Sequence, residues 1–277
     1  MAKSKPTYVR KGHEVISAIQ ALAGRHPTYQ IFQDFLECSA ISISNCVDWG
    51  EREKREEQYL QIINKYTPEE QKKLANILTA LVAAMQNQIE IYGAPCDVLG
   101  EVFHGLELHN KYHGQFFTPN HVCELMGRMT VGSETQDAIQ KQGYISLCEP
   151  CVGAGGMVIG FAAAMHHCKM DYQNHLCVTA CDIDIKCVHM AYLQLSLYGI
   201  PAVIVHGNSL TLEEWSKWYT PAYMLGMWPL RERRGIKDVA SAVKEKTASE
   251  VKQQSYEVPP AKDVELRLTD SGQYSLF

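Results

Sequence analysis

Residues 144–157 read YISLCEPCVGAGGM, a short β-rich run that passes into an acidic residue and a glycine-rich turn. The run Tyr144–Cys148 has the composition of a strand. The glycines allow a tight turn and a close approach to a ligand, and a helix is expected to begin near Gly156. A glycine-rich turn alone is weak evidence for a ligand site, because every tight turn favours glycine. The stretch therefore predicts a strand–turn–helix unit with Glu149 at the tip of the strand.

Two further β-rich runs follow, and each leads to a polar side chain. Leu176–Cys181 is followed by Asp182, and Ala202–His206 leads to Asn208. Because helical stretches separate the runs, the pattern predicts a parallel sheet flanked by helices. Ligands of open α/β sheets bind at the carboxyl ends of the strands, so Asp182 suits ribose hydroxyls and Asn208 suits the edge of an adenine. No Walker-type lysine follows the glycines, which argues against a phosphate-binding loop.

A second candidate ligand segment, Gly114–Asn120, lies upstream and reads GQFFTPN. Thr118 as N-cap and Pro119 as the first helical residue are expected to begin a helix. The free amide hydrogens at its start suit a carboxylate, such as that of a methionine group. An ordinary capped helix is the alternative. The apolar face of this helix is predicted to contain Val122, Leu125, Met126 and Met129.

The N-terminal part of the chain is predicted to be helical. Thr67 and Glu70 form a capping box that begins a long helix, and Gly93 ends it. The apolar stripe Ile31–Leu36 indicates an earlier helix, and the charge run Glu51–Glu57 indicates a solvated one. The simplest interpretation of these stripes is core packing.

Composition excludes several classes of protein. Hydrophobic residues make up 46% and charged residues 21% of the 277 residues, which is typical of a globular protein and not of a disordered chain. The net charge of −5 provides no global positive field, so any contact with DNA must come from a local patch or a partner. The longest apolar runs, such as Phe161–Met165, are far shorter than a membrane span, and the N-terminus has no signal-like core. A cytoplasmic protein is expected.

The cysteine spacing does not favour a metal site. Cys148 and Cys151 form a C-x-x-C pair, but no second pair follows at zinc-finger distance. His166–Cys168 resembles a ligand set but is expected to end a helix. No metal is therefore predicted, and buried thiols in a reducing compartment are the preferred interpretation of Cys168, Cys177, Cys181 and Cys187.

Taken together, the motifs resemble the adenine-N6 DNA methyltransferases, in the branch that contains the M subunits of type I restriction–modification systems. The resemblance covers roughly residues 95–215, and the motifs occur in the family's order. They are Asp97–Glu101 (DVLGE), Gln115–Pro119 (QFFTP), Glu149–Pro150 with the glycines, Asp182–Asp184 (DID) and Gly207–Leu210 (GNSL).

The resemblance implies an N-terminal helical domain followed by a Rossmann-like, S-adenosyl-L-methionine-dependent methyltransferase core, an α/β fold. It implies that Asp182 binds the ribose and Asn208 the adenine edge, where the family usually has aspartate. It also implies that the methionine end and the turn beneath it are contacted by Gln115, Phe117, Thr118, Glu149, Gly153 and Gly155.

The chain departs from the family at the catalytic tetrapeptide, Asn/Asp-Pro-Pro-Tyr/Phe. Its only Pro-Pro pair, Pro259-Pro260, follows Val258. The positional candidate is Thr220–Tyr223 (TPAY), in which Thr220 and Pro221 would accept hydrogen bonds from an adenine amino group and Tyr223 would stack on the flipped base. The preceding residues 211–219 contain no apolar strand to position it. A surface turn is the alternative.

Three function hypotheses follow. The first is a DNA-binding adenine-N6 methyltransferase that transfers a methyl group to N6 of a flipped adenine. The second is a catalytically inactive S-adenosyl-L-methionine-binding module in restriction, anti-restriction or mobile-element DNA maintenance. The third is methylation of RNA or protein, because a cofactor site does not identify the acceptor.

The predicted domains are a helical region at 1–110, a methyltransferase-like core at 111–230 and a polar tail at 231–277. The tail contains a weak helix signal at 236–243 and ends in a peptide that resembles those binding the replicative sliding clamp. The alternatives are a frayed terminus or docking onto this protein's own core. The predicted partners are therefore DNA, a specificity or other restriction–modification subunit and, through Gln273, Tyr274, Ser275, Leu276 and Phe277, the clamp.

Overall fold

The computed structural model describes residues 12–108 and 116–232 in full, and beyond them only the backbone of two short strands. The chain divides into two compact units, Met1–Glu232 and Arg233–Phe277. The second unit contains an antiparallel pair, β5 (Arg267–Leu268) and β6 (Tyr274–Ser275). The predicted weak helix and Pro259-Pro260 lie outside the described residues, as does the predicted clamp peptide except for the backbone of β6. The predicted domain boundaries stay predictions.

The first unit, as far as it is described from residue 12 onward, begins with five helices. Thr67 accepts a hydrogen bond from the Glu70 amide, and Glu70 Oε2 accepts one of 2.8 Å from the Thr67 amide, so the predicted capping box is confirmed. Gly93 ends that helix at a positive φ of 73°, as expected. The helices are α1 (His13–Gln20), α2 (Thr28–Ser44), α3 (Arg52–Ile63), α4 (Pro68–Tyr92) and α5 (Val98–Gly105).

The remaining elements alternate between helices and strands. The three predicted strands are confirmed, and the helix predicted to end at His166–Cys168 has Cys168 as its C-cap. The elements are α6 (Asn120–Thr130), α7 (Ser133–Gln142), β1 (Ile145–Glu149), α8 (Gly156–His167), α9 (Tyr172–His175), β2 (Leu176–Asp182), α10 (Ile185–Leu197), β3 (Ala202–Asn208), β4 (Glu213–Tyr219) and α11 (Pro221–Leu225).

The sheet has the order β1-β2-β3-β4. The first three strands are parallel, and β4 runs antiparallel to β3. The α/β class is therefore confirmed. The carboxyl ends of β1, β2 and β3 meet at one edge, where Glu149 pairs with Ala180 and Asp182 with His206.

Residues 211–219, for which the sequence predicted no apolar strand, contain a largely polar edge strand, β4. As an edge strand it needs little apolar surface: Trp218 is buried, whereas Glu213, Glu214 and Trp215 are exposed. The strand turns back from β3 through Leu212, whose φ is +61°. This strand of charged and aromatic residues is therefore held by its hydrogen bonds to a single neighbour, β3, and by the burial of one ring, Trp218.

Where helices α6 and α8 cross, their backbones are in direct contact. A Cβ on Gly127 would lie 2.4 Å from the Gly160 carbonyl oxygen, and one on Gly160 would lie 2.6 Å from the carbonyl of Cys123. Small residues therefore form the packed face of α6. The predicted apolar residues share one face of α6, but it is not the packed face, since Leu125, Met126 and Met129 are exposed.

Arg55 corrects the expectation that the charge run Glu51–Glu57 is wholly solvated. It is only 3% exposed, donates to Asp48 Oδ2 (2.7 Å) and to the Lys217 carbonyl (2.8 Å), and bonds Ser44. Its guanidinium lies 4.2 Å from the ring centroid of Trp218. The side chain therefore joins α2 and α3 to the edge strand β4.

The thiols differ in burial. Cys177 and Cys187 are buried as predicted, Cys181 is half-buried, and Cys168 is exposed. Among the helices that the structure describes, none combines the length and the apolar character that a membrane crossing requires.

Candidate cofactor site

The glycine turn between β1 and α8 is built from left-handed backbone. Gly153 has φ 54° and Gly155 has φ 94°, conformations that strain any residue with a Cβ. The Val152 amide donates to the Cys181 carbonyl (2.9 Å), which ties the turn to β2. The turn ends at Gly156, the first residue of α8.

Asp182 binds the turn from the tip of β2. Its Oδ2 accepts a hydrogen bond from the Gly153 amide (2.8 Å), and its Oδ1 accepts one from the Asp184 amide (2.9 Å). Burial raises the pKa of Asp182 above its usual value, and the amides of Asp184 and Gly153 act in the opposite direction. Each carboxylate oxygen can accept a second hydrogen bond, so the side chain can still bind hydroxyl groups.

The other two strand tips are also hydrogen-bonded locally. Asn208 Oδ1 accepts from the amides of Leu210 (3.0 Å) and Thr211 (3.3 Å), and Glu149 Oε1 accepts from the Cys151 amide (3.1 Å). The sequence predicted that Asn208 lies against the edge of an adenine. Because its oxygen closes the β3–β4 turn, the group that remains for a ligand is its NH₂.

A small cavity of about 90 Å³ lies between the glycine turn and the segment before α6. The Phe117 ring rests on the turn, since a Cβ on Gly153 would lie 3.0 Å from Phe117 Cδ1. The structure therefore brings Phe117 and Thr118 to the glycines, as the sequence predicted. The cavity is lined in part by Asp97, Phe117, Thr118, Cys123, Gly153 and Gly156.

The start of α6 differs from the prediction. The helix begins at Asn120, after Pro119 in an extended conformation (ψ 139°), and Thr118 does not cap it. The carbonyl of Thr118 accepts a hydrogen bond from the Cys123 thiol (3.6 Å). Thr118 is exposed beside the cavity, and Gln115 lies outside the described residues.

The predicted acceptor segment is not at this edge. Because β4 is antiparallel, it carries Thr220 to the amino end of β3, where Thr220 Oγ1 accepts from the Ala202 amide and donates to the Ile200 carbonyl, both at 2.9 Å. Strand β3 has seven residues, so the two edges are about 20 Å apart.

The side chains of the segment are also engaged. Thr220 is fully buried, and the Tyr223 hydroxyl, on a ring that is 6% exposed, donates to Glu232 Oε2 (2.7 Å). Pro221 is the first residue of α11. In this placement Thr220, Pro221 and Tyr223 contact the end of β4 and α11, and the predicted acceptor role stays a prediction.

Sequence reasoning missed Gln194, a buried polar residue behind the cavity. Gln194 Oε1 accepts from the amides of Val98 (2.8 Å) and Leu99 (3.0 Å). Its Nε2 donates to Asp97 Oδ1 (2.8 Å) and to the Ala154 carbonyl (2.7 Å). The available signal in the sequence was that Gln194 lies between two leucines in an apolar helix.

Two comparisons with known proteins found a match to this chain. Residues 96–227 match the family model described as N-6 DNA Methylase. A solved structure, the type I restriction-modification system methyltransferase subunit from Streptococcus thermophilus, is similar at 16% identity with a TM-score of 0.36. The match covers 73% of this chain and 59% of that chain. No curated protein matches. The segment 96–227, which the N-6 DNA methylase family model matches, holds the glycine turn and all three strand tips.

Proposed function

We propose that this protein binds S-adenosyl-L-methionine at the carboxyl edge of β1, β2 and β3 and serves in adenine-N6 methylation of DNA. The observation that supports it most is the hydrogen bond between the Gly153 amide and Asp182. This hydrogen bond connects the glycine turn, which can contact the methionine end of the cofactor, to a carboxylate that can accept hydrogen bonds from the ribose. The match to the N-6 DNA methylase family supports the same assignment.

The residues of the site have separate roles in this proposal. Thr118 and the first amides of α8 bind the carboxylate of the methionine end, with Phe117 as the wall of the cavity. Asp182 accepts hydrogen bonds from the ribose hydroxyls. Asn208 donates its NH₂ to a purine nitrogen. When bound, the cofactor supplies a methyl group on a sulfonium centre, which is the electrophile. Gln115, Glu149 and Gly155 complete the proposed set.

A second candidate function is supported by the placement of Thr220 and Tyr223 at the opposite edge. In it the chain is a cofactor-binding module without its own acceptor site, acting in restriction, anti-restriction or mobile-element DNA maintenance. For either function we propose a cytoplasmic protein whose partners are DNA, a specificity or other restriction–modification subunit, and a sliding clamp.

Replacing Asp182 by alanine should weaken binding of S-adenosyl-L-methionine by about 1–3 kcal/mol, because the ribose loses a charged acceptor. The change also removes the bond to the Gly153 amide. Isothermal titration calorimetry measures the affinity, and circular dichroism establishes folding. A folded variant with unchanged affinity would remove Asp182 from the site.

Replacing Tyr223 by phenylalanine provides the matching control. We expect a loss of stability of about 1 kcal/mol from the broken bond to Glu232 and no change in cofactor affinity, because the ring lies at the opposite edge. Thermal melts and the same titration check this. A clear fall in affinity would contradict the assignment of the site to the carboxyl edge.

The two functions are separated by one pair of measurements on wild-type protein. Transfer of tritiated methyl groups to unmethylated DNA is followed beside the cofactor titration. Transfer supports the enzyme, and binding without transfer supports the module. A protein that binds neither S-adenosyl-L-methionine nor S-adenosyl-L-homocysteine falsifies both.

A further inference from the structure

Asp97 is a buried carboxylate that faces the cavity. It is 4% exposed and lies at the N-cap of α5. Within the described part of the chain, both hydrogen bonds that the carboxylate accepts end on Oδ1, from the Gly100 amide (2.7 Å) and Gln194 Nε2 (2.8 Å). One oxygen of the carboxylate, Oδ1, therefore accepts both the hydrogen bond that caps α5 and the hydrogen bond from Gln194.

The second oxygen, Oδ2, occupies a space left by two glycines. A Cβ at Gly100 would overlap it, and a Cβ at Gly156 would lie 3.2 Å from it. Gly156 is the first residue of α8, and it lines the cavity together with Asp97 and Thr118. Oδ2 therefore lies at the start of α8, beside the cavity.

No ion pair within residues 12–108 and 116–232 includes Asp97. Burial raises the pKa of the carboxyl, and the bonds from Gln194 and Gly100, together with the nearby His104, act to lower it. A buried carboxylate with one oxygen left unbonded is costly unless a cation or another donor reaches it.

The start of α8, beside Asp97, has the complementary character. Helix α8 has 12 residues, and the unbonded amides of its first turn favour an anion. A cavity of about 90 Å³ has room for an amino-acid group. One carboxylate and one set of amide donors side by side in such a space match the adjacent ammonium and carboxylate of a zwitterionic α-amino acid.

We propose that Asp97 Oδ2 binds the α-ammonium group of the cofactor's amino-acid end, and so selects ligands that carry a free α-amine. This inference rests on the proposed function, since it assumes an adenosyl ligand. It adds to that function a binding residue and a chemical selectivity. The alternative is that Asp97 serves only as the cap of α5 and the partner of Gln194.

The test uses Asp97→Asn, which keeps the shape and an acceptor at the N-cap but removes the charge. Three probes are titrated: S-adenosyl-L-homocysteine, its des-amino analogue, and 5′-methylthioadenosine, which lacks the amino-acid end. We expect the variant to bind S-adenosyl-L-homocysteine about 10- to 100-fold more weakly than wild type. Its affinity for the other two probes should be unchanged.

The matched control is Asp34→Asn. Asp34 is as buried as Asp97, at 3% exposure, and accepts hydrogen bonds from Tyr66 and Gln30 within the N-terminal helices. This variant should lower the melting temperature and leave all three affinities as they are. Equal losses for all three probes in Asp97→Asn, or no loss for any, would show that Asp97 is purely structural.

The des-amino arm needs no variant, so the proposal is tested even if Asp97→Asn does not fold. Wild-type protein should bind S-adenosyl-L-homocysteine at least about tenfold more tightly than the des-amino analogue. Equal affinities overturn the role of Asp97 and leave the cofactor site standing. Failure of the proposed function is a different result, in which wild type binds none of the three adenosyl compounds.

Discussion

Replacing Gly160 by alanine is expected to lower the free energy of unfolding by about 3 kcal/mol, among the largest effects of any single methyl group in this protein. The new Cβ would lie 2.6 Å from the carbonyl carbon and oxygen of Cys123, and backbone cannot rotate away as a side chain can. Helices α6 and α8 would have to separate. Urea denaturation followed by circular dichroism measures the loss.

Gly132→Ala is the matched control for that change. Gly132 follows α6 in an extended conformation, and no atom lies within 4 Å of the position a Cβ would take. Gly132 is the N-cap of α7, so its substitution should cost no more than about 1 kcal/mol. Similar stabilities for Gly160→Ala and Gly132→Ala would mean that the helices do not touch through their backbones in solution.

Replacing Arg55 by methionine is expected to destabilise the protein by about 3–5 kcal/mol, because one partner of a buried ion pair is removed and the other stays. Asp48 would keep its charge without the guanidinium, and the Lys217 carbonyl would lose its donor. The ring of Trp218 would also lose its stacked cation. Chemical denaturation measures the change.

Arg52→Met tests whether the effect belongs to the buried position. Arg52 is one turn earlier in α3, is exposed, and lies over the Trp49 ring at 5.0 Å. Its loss should change the stability by less than about 1 kcal/mol. If the two arginine variants lose equal stability, the contacts of Arg55 with β4 contribute nothing.

Local signals predicted the elements of this protein well. The capping box at Thr67 and the three apolar strands depend on neighbours in sequence, and all of them are present in the structure. The packed face of α6 was not predicted, because apolar periodicity selects large apolar residues and passes over small ones. The structure buries Cys123 and Gly127 instead, since small residues permit the closer contact with α8.

The site was predicted in part, because some of its residues are marked by local sequence signals. Asp182 and Gly153 follow strand ends, and parallel strands bring such ends together. The direction of β4 could not be read locally. It depends on the turn at Leu212 and on Gly207, where a Cβ would lie 2.2 Å from the Glu213 carbonyl oxygen. That one reversal moves Thr220 to the far edge.

The amide of Gln194 has a consequence for the kinetics of ligand entry. Its four hydrogen bonds link the start of α5, the glycine turn and α10 before any ligand arrives. These segments lost their conformational freedom when the chain folded, so a ligand need not order them again. Because no slow rearrangement of them intervenes, the observed rate of association should rise linearly with ligand concentration and not level off.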